Sequence, residues 1–540
     1  MIGDEIILKV IKRDGRAVEY NSTKISVAIE KANKEVSLDK RATVEEISQI
    51  TSYIESLDKK RILVEDIQDI IEQKLMELGK YDLAKKYIVY RYTRALVRKQ
   101  NTTDESILGL IKNSTGILAD GESLPVIASV QRNLIAGEVS KDLTKRILLP
   151  EKISKAHEDG IIHFHATDYF LQPIINSCLV NIGDMLDNGT IINEQKIESP
   201  KSFQVACIVT TQIIAAIASS QYGKQYINVK HLGKYLRKSY DKIKFELEEL
   251  DDCDLSDKAI EKIAWRRLQN ELSAGVQTIQ YQINTLITTY GKSPLVTLIL
   301  ELDTNDEYAK ENAMIFSEIF KQRYEEMEKT NFANKNFPKL IYCFMEDGNV
   351  QKEEYRYLIE LAKKCLAYIN PEDVEKYKYE GTFNQGVVSI NLPQIGIIAN
   401  GDEEKFWELL DERLNLCYEA LMCRHYALLG TVSDVSPIHW KYGAIARLKS
   451  GERIDKLLKD GYSTISLGYV GIDETAKLMA GGSSDNKVDE EKFSLKLMKY
   501  LEEVVQKWKK MTGLGFTLHR IETNSSIYSR FVEINKKMRT

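Results

Sequence analysis

The sequence predicts an α/β protein in which a small N-terminal module precedes one large domain. Two observations predict this organisation. Short segments rich in β-branched residues alternate with amphipathic helices along most of the chain, without the glycine pattern of a dinucleotide-binding Rossmann fold. The chain has 540 residues, which exceeds one ordinary domain. We therefore expect a small module over residues 1–100 and a barrel or doubly wound sheet over residues 101–540.

The N-terminal module is predicted to begin with a β-hairpin. Residues 6–20 carry a strand pattern on both sides of the Asp14-Gly15 turn. Helical periodicity follows, starting at Ser22, Val44, Val64 and Asp82. The next segment, residues 101–123, is rich in Asn, Ser, Thr and Gly, which is typical of a connection between domains.

The second region shows strands and helices in alternation. Strands are predicted at Ile174–Ile182, Leu295–Leu302, Lys339–Met345, Val387–Leu392, Thr464–Val470 and Phe516–Ile521. Amphipathic helices are predicted at Val229–Leu250, Glu307–Lys329, Glu403–Leu429 and Glu490–Met511. The most apolar stretch, Ala206–Ala218, is interrupted by polar residues such as Gln212, so it predicts a buried helix rather than a membrane span.

Composition argues against several function classes. The formal charge of −5 is spread over a chain rich in both signs, which argues against binding to nucleic acid or to an anionic membrane surface. The seven cysteines form no Cys-x-x-Cys pair, so neither a disulfide framework nor a zinc ribbon is predicted. No apolar leader follows Met1, and a cytoplasmic protein is expected.

Positive side chains cluster in the N-terminal module. Three lie around the predicted Asp14-Gly15 turn, one follows in the first helix, and two lie one helical turn apart near the end of the module. Converging cations bind phosphate through charge-assisted hydrogen bonds, although a solvated basic hairpin has the same pattern. The candidate phosphate ligands are Lys12, Arg13, Arg16, Lys24, Arg91 and Arg94.

The segment from His163 to Asn181 combines histidines with a strand. His163 and His165 point the same way on an extended chain, but the sequence offers no third ligand nearby, so we expect a structural role and no metal. Ser177 and Cys178 follow on the predicted strand. Adjacent side chains on a strand face opposite sides, so one cannot replace the other unless a bulge shifts the register.

The most informative segment is Asn384–Pro393, which alternates β-branched and polar residues between a glycine and a proline, with Cys365 shortly before it. This segment, the run His163–Tyr169 and the Ser/Gly-rich turns Thr431–Pro437 and Ile465–Glu474 resemble those of the anaerobic (class III) ribonucleoside-triphosphate reductases. The resemblance extends, in order and spacing, over almost the whole chain.

The resemblance implies a fold, an activity and a mode of regulation. The fold is a ten-stranded α/β barrel of the ribonucleotide reductase and glycyl-radical type, preceded by an ATP-cone over residues 5–98. The activity is the reduction of ribonucleoside triphosphates by thiyl-radical chemistry under anaerobic conditions. ATP, dATP and other deoxynucleoside triphosphates are the implied effectors. A homodimer and a radical-SAM activating enzyme are the implied partners.

The resemblance also implies roles for single residues. Cys365 takes the position of the thiyl cysteine that abstracts the ribose 3′-hydrogen. Ser177 stands where the family carries a further catalytic cysteine, and Cys178 follows it. The implied substrate-phosphate residues are Ser433, Ser436, Ser466 and Gly468. The implied specificity-effector residues, at and beside the dimer-forming helix, are Glu198, Lys201, Gln212 and Lys242.

The sequence departs from the family pattern at three places. Ser177 cannot share an electron in a sulfur–sulfur bond, the loop between Cys365 and Gly386 is short, and no C-terminal glycyl-radical and zinc segment is recognised before Thr540. Two function classes stay open. The first is an anaerobic reductase whose glycyl radical comes from a separate polypeptide, with no metal in this chain. The second is a catalytically inactive relative that binds nucleotides as a regulatory or interaction protein.

Overall fold

The computed structural model describes most of the chain. The described ranges are residues 9–11, 17–57, 61–92, 103, 107, 128–249, 256–288, 293–329, 338–344, 355–364, 368–370, 380–480, 487–523 and 525–539. The chain separates into two compact units, residues 1–108 and 109–540. Each unit has a hydrophobic core of its own.

The first unit is a three-stranded sheet packed against helices. Its strands are β1 (Lys9–Ile11), β2 (Ala17–Glu19) and β3 (Arg61–Leu63), in the order β2-β1-β3. Its helices are α1 (Ser22–Asn33), α2 (Val44–Glu55), α3 (Val64–Glu77) and α4 (residues 81–92). β1 runs antiparallel to β2, as the hairpin pattern predicts, and parallel to β3. The Asp14-Gly15 turn lies outside the described residues.

Local signals explain where the first two helices begin. The Asn21 side chain accepts a hydrogen bond from Thr23 N at the start of α1. Thr43 and Glu46 form a reciprocal capping box at the start of α2. Isoleucine side chains supply most of the core between these helices and the sheet.

The second unit contains eleven described strands. They are β4 (Ile162–Phe164), β5 (Ser177–Val180), β6 (Thr190–Ile192), β7 (Gln195–Ile197), β8 (Gln225–Asn228), β9 (Val296–Leu302), β10 (Lys339–Phe344), β11 (Tyr368–Asn370), β12 (Phe383–Asn391), β13 (Ser463–Val470) and β14 (Gly515–Arg520). β6 and β7 form a separate hairpin. The other nine form one sheet in the order β11-β10-β9-β8-β5-β12-β13-β14, with β4 paired to β12.

Helices surround this sheet. They are α5 (Ala128–Leu143), α6 (Glu151–Glu158), α7 (Ile182–Asp187), α8 (Phe203–Ala218), α9 (Gly233–Glu248), α10 (Asp257–Thr285), α11 (Ala309–Lys329), α12 (Arg356–Lys364), α13 (Leu392–Ala399), α14 (Glu403–Leu428), α15 (Pro437–Trp440), α16 (Ile472–Met479), α17 (Lys487–Thr512) and α18 (Ser526–Arg539). None of the helices in the described ranges is long and apolar enough to cross a membrane.

The sheet consists of two parallel groups that meet antiparallel. β11, β10, β9, β8 and β5 run parallel to one another, and so do β12, β13 and β14. The groups join where β5 pairs antiparallel with β12. The sheet is curled into a half-barrel, which confirms the predicted fold class. Nine strands take part in the described portion of the chain, one fewer than the predicted ten.

The sheet has one apolar and one polar face. Val388, Ile465 and Phe516 pack with α14 and α17 in a single core cluster. Residues that alternate with them point the other way, because side chains on a strand alternate between faces. These residues carry hydroxyl and amide groups. We call them the polar face, which consists of Asn384, Ser389, Thr464, Ser466 and Thr517.

Candidate active site

Asn384 is the centre of a hydrogen-bond network on the polar face. Its Nδ2 donates to Thr464 Oγ1 at 2.9 Å and to Ser466 Oγ at 2.8 Å. Its Oδ1 accepts from Asn176 Nδ2 at 3.0 Å. Ser466 Oγ in turn lies 2.9 Å from Thr517 Oγ1 on the next strand. Partners on both sides of the amide fix its orientation, so three strands present an ordered set of hydroxyl and amide groups.

β12 contains a bulge directly after Asn384. The pairing with β13 shifts register between Asn384 and Val387. Gly386 lies in this bulge with a φ of 156°, and a Cβ added to it would lie 2.4 Å from Arg424 Cδ. Glycine is required here because any side chain would overlap the arginine. Bulges are frequent beside active sites, where they redirect a side chain.

Arg424 of α14 places a buried cation against this bulge. The residue is 4% exposed. Its Nη1 donates to the Tyr222 hydroxyl at 3.3 Å, and its guanidinium carbon lies 4.0 Å from the centroid of the Phe164 ring. Nε and Nη2 have no hydrogen-bond partner in the part of the chain that is described. Burial lowers the pKa of Arg424, because the protonated form loses its hydration there.

Ser177 and Cys178 face opposite sides of β5. Cys178 is 1% exposed in the core shared with α8, and its Sγ donates to Gln221 Oε1 at 3.1 Å. Burial raises the pKa of the Cys178 thiol. Ser177 pairs in register with Asn384, and the pairings of β5 run without a shift. Cys178 therefore does not take the position of Ser177, as the alternation of side chains predicts.

Cys365, the predicted thiyl cysteine, lies outside the described residues. Of the described cysteines, three are fully enclosed in the cores beside the sheet. These are Cys178, Cys207 and Cys417. Burial raises the pKa of each of these three thiols, which is the behaviour of core cysteines rather than of reactive ones.

The two histidines that were predicted to be structural, His163 and His165, are half-buried and form a row with the buried His157. The ring of His163 lies between those of His157 and His165, with centroids 5.0 and 4.8 Å away. His165 Nε2 lies 2.6 Å from Ser389 Oγ, and Arg530 Nη1 donates to His163 Nδ1 at 3.0 Å. Burial lowers the pKa of His157 to about 2 and that of His163 to about 3. The described residues contain no group of three or more His, Cys, Asp or Glu side chains that fits a metal ion.

Two of the four predicted phosphate residues lie at the polar face. Ser466 belongs to the Asn384 network. Gly468 lies opposite Ser389, where a Cβ would come within 2.1 Å of the serine hydroxyl. The glycine therefore makes room for the pair formed by Ser389 and His165.

The other two predicted phosphate residues lie near α15. Ser433 is fully buried, so a ligand does not reach its hydroxyl, which donates to Lys449 O at 2.6 Å. The geometry does not support Ser433 as a phosphate ligand. Ser436 is partly exposed, and its Oγ lies 2.7 Å from His439 Nδ1.

The predicted effector residues are exposed around α8. They are Glu198, Lys201, Gln212 and Lys242. The first amides of the helix already have partners: Phe203 N donates to Ser239 Oγ at 2.8 Å, and Gln204 N donates to Glu271 Oε1 at 3.1 Å. A carboxylate thus occupies the place where a helix N-terminus attracts an anion. A nucleotide near α8 must displace Glu271 or use the exposed side chains.

The positive side chains predicted to bind phosphate in the first unit differ in whether other groups already occupy them. Arg91 is engaged by three carboxylates of α3, with nitrogen–oxygen distances of 2.7 Å to Glu65, 2.6 Å to Asp69 and 2.9 Å to Glu72. Arg91 therefore fastens α4 to α3 in this structure. Lys24 is exposed on α1. Lys12, Arg13, Arg16 and Arg94 lie outside the described residues.

Sequence reasoning did not single out Arg424, Gln221 or Tyr222 as parts of this site. Their partners lie far away in the chain, and no local spacing marks them. The glycine within the strand pattern at 386 was the one local signal, because an isolated glycine in a strand indicates a bulge or a close approach of another group.

The chain matches two family models. It matches "Anaerobic ribonucleoside-triphosphate reductase" over residues 122–377 and 369–538, and "ATP cone domain" over residues 8–96. It is 33% identical to the anaerobic ribonucleoside-triphosphate reductase of Salmonella typhimurium, over 94% of this chain and 76% of the relative. The enzyme of the same name from Haemophilus influenzae is 33% identical, over 98% of this chain and 78% of the relative.

Solved structures share the fold. The anaerobic ribonucleotide reductase from Thermotoga maritima with dATP bound in the specificity site gives a TM-score of 0.59 at 13% identity, over 81% of this chain and 80% of that chain. The same enzyme in complex with dATP and CTP gives 0.54 at 14% identity, over 72% and 66%. At such low identity, this likeness concerns the fold alone.

Proposed function

The chain belongs to the anaerobic ribonucleoside-triphosphate reductase family, and from this premise we propose that it reduces ribonucleoside triphosphates to deoxyribonucleoside triphosphates. The family match over the barrel carries the proposal. The relatives over most of the chain are named as enzymes, which favours catalysis over an inactive nucleotide-binding relative.

The polar face is the proposed substrate surface. A ribose offers hydroxyl groups that donate and accept, and the network of Asn384, Ser466 and Thr517 offers groups of the same kind. Gly468 lies two residues after Ser466 on the same strand, where it makes room for the pair formed by Ser389 and His165, and Ser436 is partly exposed. We place the substrate triphosphate near Ser436, Ser466 and Gly468.

Cys365 is the proposed hydrogen-atom acceptor. As a thiyl radical it takes the 3′-hydrogen of the ribose, which starts the loss of the 2′-hydroxyl. Ser177 cannot form a disulfide, and Cys178 faces the core shared with α8. The two reducing electrons therefore come from an external donor rather than from a cysteine pair on β5.

A glycyl radical outside residues 1–540 is the proposed source of the thiyl radical. It belongs to a continuation of this polypeptide or to a separate one, and a radical-SAM activating enzyme generates it. In this arrangement the radical chemistry is supplied from outside residues 1–540, and this part of the protein binds and positions the substrate.

Nucleotide effectors are the proposed regulators. ATP or dATP binds the first unit, which matches the ATP-cone family, through Lys12, Arg13, Arg16 and Lys24. Deoxynucleoside triphosphates bind near α8 through Glu198, Lys201, Gln212 and Lys242. A homodimer forms across the exposed side of α8, where Val205 is 46% and Ile208 is 39% exposed.

Anaerobic reconstitution tests the proposal. The purified chain is incubated with activating enzyme, S-adenosylmethionine, a two-electron donor and a glycine-bearing polypeptide of the family. We expect a glycyl-radical doublet in electron paramagnetic resonance together with deoxynucleotide product. Cys365→Ser should abolish product but leave the doublet, while Cys423→Ser on α14, a partly exposed thiol, serves as the matched control. Undiminished product from Cys365→Ser would exclude Cys365 as the radical residue.

A further inference from the structure

The turn that follows α8 is fastened to the strand that carries Ser177. A Cβ on Gly223 would lie 2.3 Å from Asn176 O, so the turn and the residue before Ser177 are in direct backbone contact. Tyr222 N donates to Ile175 O at 3.5 Å. A displacement of α8 therefore reaches the start of β5 through only a few residues.

Gln221 connects this turn to two further elements. It is 1% exposed. Its Nε2 donates to Lys224 O at 2.9 Å and to Gly223 O at 3.4 Å, within its own turn. Its Oε1 accepts from Cys178 Sγ on β5 at 3.1 Å and lies 3.2 Å from His439 Nε2 on α15. One side chain thus bridges the end of α8, β5 and α15.

These bonds determine where the protons lie. The two backbone carbonyls accept from the amide nitrogen, so Oε1 of Gln221 is an acceptor and His439 carries its proton on Nε2. His439 Nδ1 then accepts from the Ser436 hydroxyl, 2.7 Å away. Burial lowers the pKa of His439 to about 3, so the ring is neutral near pH 7. Ser436, His439, Gln221 and Cys178 are thus connected by hydrogen bonds that converge on Oε1 of Gln221, which accepts from both His439 and Cys178.

We propose that Gln221 is a positioning residue that couples α8 to the substrate surface. The inference rests on the proposed function, in which effectors bind near α8 and the substrate binds the polar face. Gln221 holds Cys178 directly after Ser177, and through His439 it holds Ser436, a proposed triphosphate contact. When an effector shifts α8, the Gln221 amide moves with the turn and changes the positions of Ser177 and Ser436 together. Such a shared element gives the two sites a coupling free energy.

The coupling is measured by calorimetry on the full chain. Each substrate ribonucleoside triphosphate is titrated with and without saturating dATP or dGTP, and the ratio of affinities gives the coupling factor. We expect a factor within the usual range of about 5–150 in the wild type. In Gln221→Met, which keeps the volume but removes the four hydrogen bonds described above, we expect the factor to fall close to one while effector affinity changes less than about twofold.

Two variants make the result specific. Ser219→Ala is the matched control, because Ser219 is exposed in the same turn and its hydroxyl bonds only to Ala215 O among the partners described; it should keep the wild-type factor. Gln221→Glu keeps the acceptor for Cys178 and His439 but loses the donor to Lys224, and should also lower the factor. It replaces Gln221→Met if that variant does not fold.

A spectroscopic readout separates positioning from general stability. Nitrogen-15 labelled histidine should show His439 as the Nε2-protonated tautomer in the wild type, with the Nε2 hydrogen bond lost in Gln221→Met. An unchanged coupling factor in a folded Gln221 variant would overturn the inference and leave the proposed function intact. Failure of the wild-type chain to bind any ribonucleoside triphosphate would overturn the proposed function, and the inference with it.

Discussion

Gly386 shares its space with the Arg424 side chain, which makes the bulge sensitive to a single methyl group. In Gly386→Ala the new Cβ overlaps Arg424 Cδ, and the guanidinium has no alternative place because the residue is buried. We expect destabilisation of about 1–3 kcal/mol, typical of overpacking. Chemical denaturation measures it.

The control for this substitution is Gly401→Ala. Gly401 has a φ of 85° and open space around a Cβ, so it reports backbone strain without overlap. If Gly386→Ala and Gly401→Ala unfold at the same denaturant concentration, then overlap with Arg424 does not destabilise Gly386→Ala, and the prediction is wrong.

The histidine row makes stability depend on pH in a defined direction. The pKa values of His157 and His163 are lowered to about 2 and about 3, whereas the ordinary value of histidine is about 6.5. Between these values the unfolded chain binds more protons than the folded chain, so stability falls as the pH falls from 6.5 towards 3. Each histidine contributes a slope of up to about 1.4 kcal/mol per pH unit.

The substitution His163→Asn measures how much His163 contributes to the pH dependence of the free energy of unfolding. The asparagine oxygen can still accept from Arg530, but it does not titrate. Urea midpoints measured between pH 7 and pH 4 should therefore depend less on pH in the variant. An equal pH dependence in both proteins would show that His163 does not contribute.

At the scale of secondary-structure elements, α8 is expected to carry the subunit contact. Its exposed side includes Val205 and Ile208, while most of the rest of the helix lies in the core. Ile208→Glu places a charge in the proposed interface, so we expect a monomer by light scattering where the wild type is a dimer. Val488→Glu on α17, at a side chain that is 63% exposed, is the matched control and should leave the dimer intact.

Elements with local patterns were predictable, and those stabilised by distant partners were not. Four of the six strands predicted in the second unit lie within one residue of their predicted bounds, and the helices α11 and α14 within two, because their apolar periodicity is encoded locally. The other two differ: β5 is shorter than predicted, and β12 begins four residues earlier, at Phe383. β8, with the sequence Gln-Tyr-Ile-Asn, is short and half polar, and it is a strand because β5 and β9 pair with it on both sides.

The longest described helix, α10, was missed although its pattern is present. Its buried residues Ile260, Ala264, Leu268 and Leu272 recur every four positions. They form a narrow apolar stripe among charged residues, and only the contacts with α8 and α9 show that this stripe is the buried side of a helix. The bond between Cys178 and Gln221 spans 43 residues, and no sequence pattern of either residue indicates it.

At the scale of the whole molecule, the two units are expected to respond separately to nucleotides. The first unit has its own core, so calorimetric scans should contain a transition that belongs to residues 1–108. ATP at about a hundred times its dissociation constant should stabilise that transition by about 2.7 kcal/mol.

Deletion of residues 1–108 provides the control for this experiment. The shortened chain keeps the remaining cores and should keep their transition, but that transition should not move with ATP. An ATP-dependent shift that persists after the deletion would place the nucleotide in the second unit instead.

The register shift in β12 has a consequence for mutational tolerance. Before the shift, the side chains turned towards the helices are odd-numbered: Phe383 packs in a core, and Gln385 bonds to Leu458 O. After it they are even-numbered, Val388 and Ile390. A scan that places leucine at each position in turn should therefore give a pattern of tolerance that reverses at the bulge. Leucine keeps an apolar side chain at Phe383, Val388 and Ile390, whereas it removes a hydrogen bond at Asn384 and Ser389. If the side chains of β12 were assumed to alternate without interruption, about half of its residues would be assigned to the wrong face of the sheet.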